Sequence, residues 1–219
     1  MIKAVFFDLD GTLVDTLCDL ADSTNYALSK MGFPTHATEK FRYFVGDGVS
    51  KLIERALPED KRSSDIHKEC LSIYKNYYKE HYLDKSCVYD GVSDLIEKLK
   101  EKGLRLAILS NKHHEMTVTV AQTLFAQDTF DVVYGQKENC PAKPDPQLML
   151  QIMNELGVEP SEAVMIGDSG MDMAVAANAK CKGIGVLWGF RAEDELRENG
   201  ADYIVAEPSE ILKILEEIK

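Results

Sequence analysis

The chain has 219 residues, 45% of them apolar and 28% charged, close to the averages for soluble globular chains, which excludes wholesale disorder, a collagen-like repeat and a coiled-coil rod. Lysine and arginine total 25 against 37 aspartates and glutamates, a net charge of −12; a field of that sign repels nucleic-acid phosphates and anionic membranes, so neither is expected as a partner. A chain this long can bury about 70% of its unfolded surface without disulfides or a structural metal, although its length falls between one domain and two.

Short apolar runs with helical patterns between them set the order of elements. Ala4, Val5, Phe6 and Phe7 read as a first buried strand. Between residues 15 and about 86 no strand candidate follows, only helix faces: Leu17, Leu20, Ala21, Thr24, Ala27, Leu28 and Met31, then Leu52, Ile53, Ala56 and Leu57, then Leu71, Tyr74, Tyr78 and Tyr82. The tyrosine stripe reads as packing in a small helical core. Further on, helix stripes begin at Val92, Val118 and Met149, and a last one at Ile211 closes the chain. Strand candidates at 106–109, 132–134, 163–166, 184–187 and 203–205 are interleaved with them. This alternation predicts an α/β fold, a Rossmann-like and mostly parallel sheet with helices on both faces. Residues 1–15 and 86–219 are expected to build that core, with 16–85 inserted as a small all-helical cap.

No run of residues reaches the 18 or more apolar positions of a membrane span, and Asp8 interrupts the apolar start before a signal-peptide core can form. The five cysteines, Cys18, Cys70, Cys87, Cys140 and Cys181, are odd in number and lack C-x-x-C spacing, which fits idle thiols in a reducing, cytoplasmic setting.

The chemistry gathers where strands end, because ligands of open parallel sheets bind at the carboxyl ends of the strands. The first strand runs into Asp8-Leu9-Asp10-Gly11-Thr12-Leu13, the second into Ser110-Asn111-Lys112 and the fourth into Gly167-Asp168-Ser169-Gly170-Met171-Asp172, while Lys143 stands in the loop after the third. Asp8 and Asp10 lie two apart, so in extended chain both point the same way. With Asp168 and Asp172 nearby the site gathers up to four carboxylates, whose mutual repulsion disfavours full ionisation. A hard divalent cation resolves that conflict, and an oxygen-only, water-rich site suits Mg²⁺. His113 and His114 read as an exposed helix start.

These four segments, in this order, resemble the motifs of the haloacid dehalogenase superfamily, specifically its phosphatases: Asp8 to Thr16, Ser110-Asn111, Lys143-Pro144-Asp145-Pro146 and Gly167 to Asp172. The helical insertion sits where that family carries a mobile cap. The resemblance implies that Asp8 is a nucleophile forming an aspartyl-phosphate, and that Asp10 is the acid and then the base. It implies that Asp8, the Asp10 carbonyl and Asp168 hold Mg²⁺, with Thr12 and Asp172 in support. Lys143, the Ser110 hydroxyl and the Asn111 backbone N–H would bind the phosphoryl group. Phe44-Val45-Gly46-Asp47-Gly48-Val49 resembles the cap segment of phosphoglycolate phosphatases, making Gly46, Asp47 and Gly48 candidates for contact with a small substrate carboxylate. The implied reaction is hydrolysis of a small phosphorylated metabolite, 2-phosphoglycolate first, by a monomer or homodimer. A pyrophosphatase, a β-phosphoglucomutase-like phosphomutase and, more remotely, a non-catalytic phospho-Asp switch remain alternatives. The crossings near Thr16 and Ser86 are expected to act as hinges.

Overall fold

The computed structural model describes residues 1–138 and 140–218. In chain order they form β1 (Ala4–Phe7), β2 (Val14–Asp15), α1 (Leu17–Lys30), α2 (Val49–Ala56), α3 (Ser64–His81), β3 (Cys87–Val88), α4 (Val92–Glu101), β4 (Arg105–His113), α5 (His114–Leu124), β5 (Val132–Gln136), α6 (Gln147–Leu156), β6 (Ala163–Gly167), α7 (Gly170–Ala179), β7 (Lys182–Val186), α8 (Glu193–Glu198), β8 (Tyr203–Val205) and α9 (Ile211–Glu217). A 3₁₀ segment, Thr38–Tyr43, lies between α1 and α2. The main sheet has the order β5-β4-β1-β6-β7-β8, and each neighbouring pair is parallel.

The alternation of β1 shows why helices cover both faces. Val5 and Phe7 point into one apolar cluster with Val92, Leu95, Ile96 and Leu99 of α4 and with Ile211 of α9. Ala4 and Phe6 point into the opposite cluster with Met149 and Ile152 of α6 and with Val175 and Ala176 of α7. A strand buried on both faces must be a continuous apolar run, and β1 is one. Helix α7 left no amphipathic signature because its buried positions, among them Met173, Val175, Ala176 and Ala179, run around much of its circumference.

Helices α1 to α3 and the 3₁₀ segment enclose a third cluster built on Leu20, Leu28, Phe41, Ile53, Tyr74 and Tyr78. Phe190, from the loop after β7, inserts into this cluster from the sheet side. The chain leaves and returns to the sheet through a two-residue antiparallel ribbon, with Val14 opposite Val88 and Asp15 opposite Cys87, which the sequence pattern did not reveal. Beside it the buried carboxylate of Asp19 accepts from the Ser86 hydroxyl at 2.6 Å, from Ser86 N at 2.8 Å and from Lys85 N at 3.0 Å.

One strand departs from expectation. Instead of ending at 109, β4 continues to His113, with a register shift against β5 between Leu109 and His113. Such an irregularity re-aims side chains at a strand end, and here it covers Ser110, Asn111 and Lys112, all of which line the cleft described next.

Candidate active site

Strand order reverses around β1: β4 lies to one side and β6 to the other. The carboxyl ends of these three strands therefore meet at one crevice, the switch point at which ligands bind in open α/β sheets. Asp8 follows β1 directly, Ser110 and Asn111 belong to the end of β4, and Asp168 follows β6. Asp8, Asp168 and Asp172 each offer a carboxylate oxygen, and these atoms lie within 4.8 Å of one another, all three residues buried.

Lys143 is the counter-charge. Its Nζ is 2.6 Å from Asp172 Oδ1, 3.0 Å from the Leu109 carbonyl oxygen and 3.0 Å from Asp8 Oδ1. Burial works against its charge, but Asp172 and Asp8 together outweigh that effect and raise its pKa. Asp172 is also the N3 partner of a capping box at the start of α7, accepting from Ser169 Oγ at 2.6 Å and Ser169 N at 3.0 Å. Two acids keep their protons more tightly than usual. Burial pushes Asp8 up to about 6, with Asp172 and Asp10 adding repulsion and Lys143 opposing. Burial, with Asp172 and Asp8, pushes Asp168 up to about 8, against donation from Phe190 N and Thr12 Oγ1.

The backbone is shaped around Asp168. Gly11 sits at φ +90°, and a Cβ there would fall 2.4 Å from Asp168 Oδ2. A Cβ on Gly189 would fall 2.3 Å from the Asp168 Cβ. Thr12 Oγ1 donates to Asp168 Oδ1 at 3.1 Å, and Trp188 Nε1 donates to the Thr12 carbonyl at 3.0 Å.

Asp10 stands apart from the carboxylate trio. Its Oδ1 accepts from Thr16 Oγ1 at 2.8 Å, and both its oxygens lie 3.0 Å from Lys112 Nζ. Lys112 Nζ also donates to the Tyr78 hydroxyl at 2.7 Å. Of the acids expected around a cation, Asp172 is thus inside the side-chain cluster, whereas Asp10 offers its carboxylate to the cleft instead.

The cleft between sheet and helical insertion encloses about 540 Å³. Asp8, Asp10, Ser110, Asn111 and Lys112 line its floor, and Gly46, Gly48, Leu52, Tyr74 and Tyr78 line its roof. Asp47 is not among the lining residues: it pairs with Arg55, which also donates to the Phe44 carbonyl at 3.0 Å, so its charge is spent inside the insertion. The Asn111 side chain bridges the two halves, donating to the Gly46 carbonyl at 3.1 Å and accepting from Lys143 N at 2.8 Å. Arg191 clasps the same loop through the carbonyls of Arg42 and, at 2.8 Å, Val45. Roof and floor are thus joined by hydrogen bonds through Asn111 and Arg191.

The sequence model described as haloacid dehalogenase-like hydrolase matches residues 5–186. The chain belongs to that family. It is a phosphatase. A phosphoglycolate phosphatase of Chromobacterium violaceum is 33% identical over 217 residues, covering 98% of this chain and 96% of the relative. A crystal structure from Lactobacillus delbrueckii subsp. bulgaricus has a TM-score of 0.91 at 31% identity, covering 97% of this chain and 98% of that one. A haloacid dehalogenase-like family hydrolase of Streptococcus pneumoniae has a TM-score of 0.87 at 28% identity, covering 98% of both chains.

In this haloacid dehalogenase-like chain the structure adds Thr16, Lys112, Tyr78 and Arg191 to the surroundings of the crevice. Thr16 and Lys112 stood inside the motif segments themselves. Tyr78 packs as its stripe predicts, ring against ring with Tyr74 at 5.3 Å; but a buried tyrosine also needs a partner for its hydroxyl, and Lys112 is that partner. His113 is exposed at the junction of β4 and α5, and the His114 Nδ1 accepts from Gly135 N at 3.2 Å. No helix among the described residues is long and apolar enough to cross a membrane.

Proposed function

We propose that this phosphatase hydrolyses a small phosphate monoester, with 2-phosphoglycolate as the leading substrate, through an aspartyl-phosphate formed on Asp8 and with Mg²⁺ bound. The observation that carries this reading is the state of Asp8: its Oδ1 is buried, has Lys143 3.0 Å away, and makes no hydrogen bond of good geometry. A buried carboxylate oxygen without a hydrogen bond suits a ligand to a cation, and Asp8 lines the cleft where a phosphate ester would meet its carboxylate. The donor set of Asp8 and Asp168, both acids raised by burial and repulsion, fits a hard cation, which would also take the Asp10 carbonyl. Mg²⁺ would neutralise charge on the transferring phosphoryl group.

The chain's own groups supply the rest. Asp8 attacks phosphorus while Lys143 offsets charge on its carboxylate and on the phosphoryl oxygens. The Ser110 hydroxyl and Asn111 N–H bind those oxygens, preorganised donors of a kind worth about 3–4 kcal/mol each in a dry site. Asp10, held by Thr16, protonates the leaving oxygen and then takes a proton from the hydrolytic water. Residues 16–85 act as the cap, opening on the ribbon crossings to admit substrate. Phosphate esters on macromolecules are then poor substrates.

The test is phosphate release from 2-phosphoglycolate, pyrophosphate and hexose phosphates, comparing kcat/KM with Mg²⁺ and with EDTA, for the wild type and for Asp8→Asn. The expected result is highest kcat/KM for 2-phosphoglycolate, loss of turnover in EDTA and loss of more than about a thousandfold in the variant. Substantial activity of folded, purified Asp8→Asn overturns the nucleophile, and a preference for pyrophosphate or hexose phosphates overturns the substrate.

A further inference from the structure

The cleft holds a second buried ammonium whose place the hydrolytic scheme leaves unexplained. Lysines 75, 79 and 112 all line the cleft, but Lys75 and Lys79 are exposed at its rim, whereas the side chain of Lys112 is only 7% exposed. Lys143, the other buried lysine of the site, already directs its ammonium to Asp172, Asp8 and the Leu109 carbonyl. Lys112 directs its ammonium to both Asp10 oxygens and to the Tyr78 hydroxyl, in the cleft that Tyr74, Tyr78 and Leu52 also line.

We propose that Lys112 and the Tyr78 hydroxyl form the binding site for a carboxylate carried on the leaving group, and so select acidic phosphate monoesters. The inference rests on the phosphomonoesterase reading above and deepens it. The leaving oxygen has to sit against the Asp10 carboxylate to receive its proton, and both Asp10 oxygens lie 3.0 Å from Lys112 Nζ. A carboxylate two bonds from that ester oxygen therefore falls within reach of the same ammonium. Tyr78 adds the second contact. Its oxygen accepts from Lys112 at 2.7 Å, which leaves its own proton to donate to an anion. The Lys112 ammonium stands 4.9 Å from the centre of the same ring, at its hydroxyl end.

The surroundings strengthen the pair. Leu20, Val45, Val49, Leu52 and Met116 give the cleft apolar walls, where an ion pair is screened far less than in water. The loop at Gly46 and Gly48 is held through its carbonyls, Gly46 by Asn111 and Val45 by Arg191; a rival anion site there would use its N–H groups, which Lys112→Met leaves intact.

The experiment compares 2-phosphoglycolate with its neutral amide, 2-phosphoglycolamide, and with p-nitrophenyl phosphate, all with Mg²⁺, in the wild type, Lys112→Met, Lys112→Arg and Tyr78→Phe. The ratio of kcat/KM between acid and amide within one variant is independent of how much of that variant folds. The wild type is expected to prefer the acid. Lys112→Met should lose roughly ten- to a hundredfold on the acid, mostly in KM, the range of a charge-assisted hydrogen bond, while the amide changes much less. Lys112→Arg should recover part of the preference, and Tyr78→Phe should lose a smaller part. Equal losses on acid and amide overturn the proposal, because Lys112 would then act only through Asp10. A wild type indifferent to the carboxylate but active on p-nitrophenyl phosphate also overturns it and leaves the phosphatase reading standing. A wild type inactive on every ester refutes that reading and the proposal with it.

Discussion

Lys143 Nζ stands 2.6 Å from Asp172 Oδ1 and 3.0 Å from Asp8 Oδ1, so a single buried ammonium holds together two carboxylates that would otherwise repel. Removing it leaves three buried acids without their cation. Breaking a buried pair from one side typically costs about 3–5 kcal/mol. Lys143→Met is therefore expected to be destabilised by about that much in urea unfolding with EDTA present. A loss under about 1 kcal/mol would mean that the acids discharge by taking up protons instead.

The raised acids give metal-free stability a definite pH slope. Asp8 at about 6 and Asp168 at about 8 both bind protons more tightly than at their unfolded value of 3.8. Between those values the folded state holds more protons than the unfolded one, so stability falls as pH rises. With EDTA, Tm should decline from pH 5 to about 8 through these two acids, and the gain in Tm on adding Mg²⁺ should grow over the same range. Asp168→Asn should flatten both trends. The comparison with that variant isolates the site from His114, whose lowered pKa acts in the opposite direction. A Tm gain from Mg²⁺ that is equal at pH 5 and pH 8 would contradict the assignment.

Gly11 is where the backbone makes room for Asp168. A Cβ would sit 2.4 Å from its Oδ2, on a residue at φ +90° that side chains rarely adopt. The conformational strain alone is worth about 1–3 kcal/mol, and the clash displaces the carboxylate. Gly11→Ala is expected to lose stability and most of its Mg²⁺-dependent rise in Tm together. Retention of the full Mg²⁺ effect would show that Asp168 is free to move without loss.

Asp19 ties the departing helix to the returning crossing through Lys85 N, Ser86 N and Ser86 Oγ. Asp19→Ala leaves those donors without their acceptor, a loss of about 3 kcal/mol. Ser86→Ala removes only the hydroxyl and is expected to cost about 1 kcal/mol. Hydrogen exchange should report the local consequence, with amides 85 and 86 losing protection in Asp19→Ala while those of β1 and β6 keep it. Uniform loss across the sheet would place Asp19 in the global fold rather than at the crossing.

The elements that sequence reasoning located share one trait: they are set by neighbours along the chain. Apolar runs such as 4–7 and 163–166 mark buried parallel strands by themselves, and strand ends rich in Asp, Ser and Gly mark where ligands bind. Asp8, Asp168 and Ser110 were legible for that reason and Lys143 only through the resemblance of its Lys-Pro-Asp-Pro segment; the structure brings all four to one crevice. Helix α7 was not, because a helix buried around most of its surface has no apolar stripe to read.

Which side chain meets which was decided elsewhere. The order of the strands places the loop after β5 beside the ends of β4 and β6, so Lys143 reaches Asp172 across 29 residues and Leu109 across 34. The register shift at 109–113 covers Lys112, which meets Asp10, and the packing of α3 over the cleft brings Tyr78 onto it. Periodicity tells which face of an element is apolar, but a hydrogen bond between distant segments depends on ångström-scale placement that only the packed sheet and helical insertion impose. The sequence by itself therefore determined the kind of chemistry, a carboxylate cluster at the ends of parallel strands. Only the tertiary structure decided which lysine answers which acid.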